Sequence, residues 1–315
     1  MQTALIAGGA GFIGSHLCKS LLAKDFKVIC VDNLITGDKN NIVDLQNNPN
    51  FTFLEKDITK TLDSELKADF IFHLASPASP NKKCQKSYIN NPIETLLANS
   101  LGTYNLLELA RQTSAIFLFT STSEVYGDPE VSPQKEDYFG NVNPNGVRSV
   151  YDESKRFGEA ATMAYVRKFD LDARIIRIFN TYGPFMQKDD GRVVSEFIMQ
   201  AITGKPFTIY GNGTQTRSFC YVSDMVEGIE KAMFTEKTKG EVINLGNPDE
   251  KTVLELAMLI KKICKVSSES VFEELPEDDP KVRKPDITKA EKLLGWKPKI
   301  SIEEGLEKTV EYFRG

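Results

Sequence analysis

Tyr151 and Lys155 stand four residues apart in the stretch Tyr151-Asp152-Glu153-Ser154-Lys155. On a helix that spacing puts both side chains on one face. A phenol with a pKa near ~10 is a poor base at neutral pH. A neighbouring ammonium favours phenolate, so the pair could take a proton from a hydroxyl. Alone, the same pattern also describes many solvated helix faces. A second group of polar residues lies at 119–127, Phe-Thr-Ser-Thr-Ser-Glu-Val-Tyr-Gly, at the end of an apolar run. A hydroxyl there, Thr122 foremost, could hydrogen-bond the reacting oxygen, although strand-end hydroxyls also cap turns.

The third element opens the chain. Gly8, Gly11 and Gly14 follow the apolar run 3–7 and begin a helical pattern. Glycines so placed permit a tight turn, close approach of backbone to a pyrophosphate, and close helix–strand packing. Asp32 ends the second apolar run, where a carboxylate accepts hydrogen bonds from both ribose hydroxyls and repels a 2′-phosphate. The pattern therefore points to NAD rather than NADP; the alternative is that Asp32 caps a loop.

These residues must be carried by an ordered alternation of elements. Runs at 3–7, 27–31, 51–54, 70–73, 116–120 and 174–179 are continuously apolar, as strands buried on both faces are. Amphipathic stretches at 12–24, 93–111 and 151–169 separate several of them. The fold class is α/β, a doubly wound parallel sheet of the Rossmann type. Beyond about residue 180, helical stretches at 193–203, 222–234, 253–266 and 302–313 alternate with shorter strands and loops. Residues 1–180 are read as an NAD-binding domain, completed by a segment near 215–245. Residues 181–315 are read as a smaller α+β substrate lobe, and the acidic stretch 276–280 as a surface loop. Ligands are expected at the seam.

Composition limits the alternatives. A chain of 315 residues with 41% hydrophobic and 26% charged residues suits a globular protein with a sizeable core. A net charge of −5 without a Lys/Arg run gives no nucleic-acid footprint. Five scattered cysteines without a CxxC pair argue against a disulfide framework or metal site and for a reducing compartment. With no signal peptide and no apolar stretch near the ~20 residues of a membrane span, the expected location is cytoplasmic, with no membrane partner.

With glycine turn, strand-end hydroxyl and Tyr/Lys pair in this order, the chain resembles the extended short-chain dehydrogenase/reductase superfamily. Within it, the sequence is similar to the UDP-glucuronate decarboxylases (UDP-xylose synthases) over nearly its whole length. The more specific stretches are HLASPASP from His73, TSEVYGDP from Thr122, RSVYDESKR from Arg148, RIFNTYGP from Arg177, DGRVVSEFI from Asp190 and YGNGTQTRSFCYVSD from Tyr210.

The resemblance implies Tyr151 as catalytic base, Lys155 as its partner, and Thr122 as the catalytic hydroxyl. Glu124 would position the sugar carboxylate or supply a proton, which would require a raised pKa. Arg217 would lie near that carboxylate or the diphosphate. Phe12, Ile13, Asn33, Asp57, Ile58, Leu74, Ala75, Ser76 and Asn99 would join the glycines and Asp32 around NAD. Pro77, Ser123, Asn180, Arg192, Tyr210 and Arg283 would join Glu124 and Arg217 around a UDP-sugar, with Tyr210 on uracil and Arg283 on the diphosphate. A homodimer through a four-helix bundle, built on 93–111 and 151–169, is also implied.

Two departures stand out: the segment 81–91 is longer than usual and carries three lysines, and Ser154 replaces a common glycine. Related chemistries differ at single positions. A 4,6-dehydratase wants an acid where Ser123 stands, and a 4-epimerase needs only the hydroxyl and the Tyr/Lys pair. A non-catalytic NAD-binding regulator would have no need of Tyr151, Lys155 and Thr122 together.

Overall fold

The structure, a computed structural model, describes residues 1–62, 66–274 and 282–315; the stretch 276–280 expected as a loop lies outside them. Apolar runs form β1 (Thr3–Ala7), β2 (Lys27–Asp32), β3 (Phe51–Glu55), β4 (Phe70–His73), β5 (Ile116–Thr122) and β6 (Ala173–Ile178). With Val242–Leu245 they make a seven-stranded parallel sheet among the described residues. Its order is Val242–Leu245, β6, β5, β4, β1, β2, β3. The chain starts mid-sheet at β1, runs outward to β3, then crosses back to β4 on the other side of β1. That reversal leaves a crevice at the carboxyl ends of β1 and β4.

Helices α1 (Phe12–Leu22), α2 (Pro92–Leu97), α3 (Thr103–Thr113) and α4 (Ser149–Phe169) cover the sheet. Leu106, Leu107 and Ala110 of α3 bury against Phe117 and Ile175 on one face, while Leu17 and Leu21 of α1 join the larger core on the other. Beyond β6, α5 (Val193–Thr203), α6 (Val222–Phe234), α7 (Val253–Cys264), α8 (Thr288–Leu294) and α9 (Ile302–Arg314) carry the second half. α6 returns to pack on α1 and β6. Phe207–Tyr210 pairs with Ser270–Glu273, and Thr216–Ser218 lies between Glu250–Thr252 and Val282–Arg283.

The single helix expected over 93–111 is divided. A π-helical turn, Ala98–Gly102, joins α2 to α3. It brings Gly102 against Ile58, whose Cδ1 would lie 2.6 Å from an added Cβ, and turns Asn99 toward Ser76 and Ser154. Such extra-residue turns often mark sites. α8, only seven residues, is too short to leave a periodic signal.

Helix α4 presses unusually close to β5. A Cβ on Gly158 would lie 2.2 Å from Phe119 Cζ. The next residue, Glu159, accepts a two-pronged hydrogen bond from Arg177 of β6 at 2.9 and 2.8 Å and another from Ser121 Oγ at 2.5 Å. Gly158→Ala should therefore overpack this seam and cost about 1–3 kcal/mol, read as a lowered Tm in thermal unfolding. An unchanged Tm would mean that Phe119 has room to retreat.

Candidate active site

The crevice is a cavity of about 630 Å³ between the sheet's carboxyl edge and the second half of the chain. Gly8, Gly11, Phe12, Ile13, Gly14, Leu74 and Ser76 line one end, and Asn180, Arg192, Tyr210, Arg217 and Arg283 the other. Thr122, Ser123, Glu124, Tyr151 and Lys155 lie between. The glycine turn has no spare room: a Cβ on Gly8, at φ +83°, would meet the Ala75 amide at 2.6 Å, and one on Gly14 the Gly8 carbonyl at 2.1 Å. This bare-backbone cradle beside a strand-end carboxylate fits a dinucleotide.

Several expected contacts lie behind the wall. Asp32 accepts from the Ala10 and Leu34 amides at 3.0 and 2.9 Å, and burial raises its pKa. Asn33 and Asp57 accept from the amides of Ile35 and Thr59 in local turns. Ile58 packs on Gly102, Ala75 backs Gly8, and Asn99 braces Ser76 and Ser154. Ile58, Ala75 and Asn99 thus support the residues that line the cleft, Asp32 anchors the glycine turn through the Ala10 amide, and Asn33 and Asp57 hold local turns at the strand ends. Pro77 is buried and does not line the cleft, whereas its neighbours Ala78, Ser79 and Pro80 do.

The Tyr/Lys pair is held from several sides. Lys155 Nζ donates to the Thr120 carbonyl at 2.8 Å and sits 5.0 Å from the Phe119 ring centre. Ser154 donates to the Tyr151 carbonyl and accepts from Asn99, both at 3.0 Å, so the serine that departs from the common glycine ties α4 to the π turn. Thr122 caps the short helical turn Ser123–Tyr126 by accepting from the Glu124 amide at 3.2 Å. Burial raises the Tyr151 pKa, a hydrogen bond with Thr122 pulls it back, and the balance is about 12. Burial also drives Lys155 down to about 7. The low-dielectric seam thus disfavours both charged forms, phenolate and ammonium alike.

Glu124 lacks the raised pKa that supplying a proton, one of its two expected roles, would require. It forms ion pairs with Arg148 and, at 3.1 Å, with Arg283. Burial pushes its carboxyl up, but the charges of Arg283 and Arg148 outweigh this and hold it near 2. A carboxylate so held accepts hydrogen bonds and does not donate. Arg283 and Arg217 are register neighbours on adjacent strands, and it is Arg283 that reaches Glu124 and the Ser123 carbonyl.

Three side chains were missing from the sequence reading. Arg148 lies one turn before Tyr151, at a spacing that could have exposed it. Tyr88 stacks on Tyr151 with ring centres 5.0 Å apart and planes 7° apart. Asp152 is buried with its Oδ1 unpartnered. Tyr88 gave no signal because only folding brings it to Tyr151. Asp152, though four residues after Arg148, gave none because its burial beside Glu124 is decided by packing.

A glycine turn after the first strand of such a sheet, with a Tyr/Lys/hydroxyl group across the crevice, defines a short-chain dehydrogenase/reductase of the extended type. Residues 5–309 match the family model described as GDP-mannose 4,6 dehydratase, and the chain belongs to that family. It is 50% identical over 313 residues to UDP-glucuronic acid decarboxylase 4 of Arabidopsis thaliana, covering 98% of this chain and 68% of that one. Against UDP-glucuronic acid decarboxylase 1 of Danio rerio it is 50% identical over 311 residues, covering 98% and 72%. Among solved structures, UDP-glucuronic acid 4-epimerase from Bacillus cereus, in complex with UDP-glucuronic acid and NAD, superposes with a TM-score of 0.85. Identity there is 32%, over 98% of each chain. UDP-glucose 4-epimerase from Thermotoga maritima, with UDP-glucose, gives 0.88 at 32% identity over 99% and 98%.

Asp152 has a measurable consequence. Burial first, then the charge of Glu124, push its carboxyl up to about 8. The folded chain therefore holds a proton that the unfolded chain releases near pH ~3.9, and stability from this group falls as pH rises through that window. In Asp152→Asn this loss is absent, so the variant's Tm should gain on the unaltered chain's from about pH 5 to about pH 8. Thermal unfolding across a pH series checks this; a constant offset would mean that Asp152 holds no such proton.

Proposed function

We propose that this chain is an NAD-dependent decarboxylase that converts UDP-glucuronate to UDP-xylose and CO₂. The observation that carries the reading is the charge of the cleft. On a chain of net charge −5, the cleft is lined by Lys82, Lys83, Lys86, Arg148, Lys155, Arg192, Arg217 and Arg283 against Glu124, Asp190 and Glu196, eight basic side chains to three acidic. A nucleotide-activated uronate brings a diphosphate and a carboxylate to such a surface, and planar guanidinium groups suit both. The 50% identity to proteins named UDP-glucuronic acid decarboxylase, across 98% of the chain, favours decarboxylation over the epimerase chemistry of the 32% identical structures.

The chemistry follows from the groups present. NAD, bound along the glycine turn and Asp32, would accept and return a hydride. Tyr151, hydrogen-bonded by Thr122 and favoured as phenolate by the positive charge that bound NAD would add, takes the C4 hydroxyl proton as the C4 hydride leaves. Lys155 steadies the site from the Thr120 side. Oxidation at C4 turns the uronate into a β-keto acid. Loss of CO₂ then leaves an enolate instead of an unstabilised carbanion. A proton from water at C5, hydride return to C4 and return of the Tyr151 proton to the C4 oxygen complete the product. Arg283 and Arg148, with Glu124 between them, orient the carboxylate by charge. Arg217 and Arg192 serve the diphosphate, and Tyr210 the uracil ring, with Asn180 and Ser123 completing the sugar site. Asp57, Ile58, Asn33, Ala75 and Asn99 shape the cofactor's bed from behind.

We assign the protein to the cytoplasm as a homodimer. Its five cysteines are free and buried, and among the described residues no helix is long and apolar enough to cross a membrane. Ile93, Leu97, Leu101 and Tyr104 repeat on one face of α2, the π turn and α3, and are 60%, 41%, 42% and 50% exposed, with Phe157 of α4 50% exposed nearby. A contiguous apolar patch of this kind favours helix-on-helix pairing with a second copy, a four-helix bundle.

Two outcomes test these readings. Incubated with UDP-glucuronate and NAD, the protein should yield UDP-xylose and CO₂ by mass and NMR, and Tyr151→Phe should slow turnover at least ~100-fold while still binding NAD. Recovery of UDP-galacturonate without CO₂ would make the enzyme a 4-epimerase instead. In light scattering, the protein should have the mass of two chains and Leu101→Glu the mass of one; a monomeric unaltered protein would overturn the dimer.

A further inference from the structure

The lysine-bearing segment 81–91 is folded back on itself and tied across the cleft. Asn90 Nδ2 donates to the Lys82 and Cys84 carbonyls at 2.9 and 2.7 Å, and Asn91 Nδ2 to those of Gln85 and Ser87 at 2.6 and 2.9 Å. Two asparagine side chains thus set the loop's shape, so it is a built turn and not slack chain. Toward the second half of the chain, Ser79 Oγ donates to the Asp190 carbonyl at 2.6 Å and Asn81 Nδ2 to that of Asp189 at 3.2 Å. The approach is close: a Cβ on Gly191, at φ +74°, would lie 2.3 Å from Asn81 Nδ2.

The same two segments reach the sheet side at adjacent residues. Gln187 Nε2 donates to the Thr36 carbonyl, and Lys86 Nζ lies 3.5 Å from the Gly37 carbonyl. Gly37 in turn covers Asp32, whose Oδ1 would lie 2.7 Å from an added Cβ. Thr36–Gly37, the 81–91 turn and the loop around Gln187 therefore close a ring over the end of the cleft where Asp32 stands. Lys86 is half-buried in that ring, lines the cleft, and is near enough for its charge to act on Asp32. Among the described residues its one hydrogen bond is this long one, beyond the usual 2.7–3.2 Å range. An ammonium carries three donors, so most of its capacity faces the cleft.

We propose that segment 79–91 is a strap that retains the dinucleotide through the redox cycle, with Lys86 as the cation that holds it. This rests on the NAD-dependent reading above. In that reaction the hydride taken from C4 returns to C4, so the cofactor never needs to leave. A cofactor that escaped in reduced form would strand the sugar as a UDP-4-keto-pentose. The strap is anchored on both banks: Lys86 closes over the adenosine end at Gly37, while Ser79, Asn81 and Tyr88 of the same segment border the redox and sugar sites. Lys86 is placed to add a charge-assisted hydrogen bond to the dinucleotide's pyrophosphate or ribose oxygens.

The test is the release of NADH, followed by its fluorescence on displacement with excess NAD, in the unaltered protein, Lys86→Ala and Lys86→Arg. Lys86→Ala should release NADH ~10-fold faster or more, the scale of one lost charge-assisted hydrogen bond. Lys86→Arg should stay near the unaltered rate. During turnover of UDP-glucuronate, Lys86→Ala should also accumulate free NADH and UDP-4-keto-pentose in equal amounts. Equal release rates in all three proteins would overturn the strap while leaving the NAD-dependent reading intact. Failure of the unaltered protein to bind NADH at all would overturn that reading, and the strap with it.

Discussion

The site depends on how closely α4 lies on the sheet. Gly158 allows the helix to touch Phe119, and the fork between Glu159 and Arg177 fixes its rotation and height against β6. From that anchor, Lys155 falls one turn back at the Thr120 carbonyl and Tyr151 two turns back beside Thr122. Arg177 and Glu159 are both largely buried, so loss of one would leave the other's charge uncompensated, at about 3–5 kcal/mol. A shift of α4 by one residue would rotate Tyr151 out of the cleft altogether. The proton-transfer geometry is thus a consequence of helix–sheet packing.

The same burial sorts the acids. Two unit charges about 4 Å apart interact by about 4 kcal/mol at an effective dielectric near 20, comparable to the several kcal/mol of taking a carboxylate out of water. Glu124, bracketed by Arg148 and Arg283, gains that attraction twice and stays ionised. Asp152 faces the same arginines without a hydrogen bond on Oδ1 and also meets the charge of Glu124, so it keeps its proton. The same surroundings thus hold the Glu124 carboxyl down and push the Asp152 carboxyl up.

Much of the fold was legible because its signals are local. Continuous apolar runs marked the strands, and Gly8, Gly11, Gly14 and Asp32 marked the first crevice-forming turn. The errors also have physical causes. The π turn at Ala98–Gly102 exists to bring Asn99 and Gly102 against distant partners, which no helical periodicity records. β5 runs on to Thr122 because Ser121 and Thr122 pair with Arg177 and Ile178, extending the strand two polar residues beyond the apolar run 116–120.

The sequence by itself determined the kinds of group available and their local spacing: a phenol and an amine on one helix face, a hydroxyl at a strand end, a glycine turn with a carboxylate beyond it. Their chemistry could be named from type and spacing because each motif lies within one element. Only the tertiary structure decided the protonation of those groups and who faces whom. Lys155 loses affinity for its proton, Glu124 meets Arg283 from 159 residues away, and Tyr88 stacks on Tyr151. Charge state and contact depend on what surrounds a side chain in space, and in this chain most of those neighbours come from other elements.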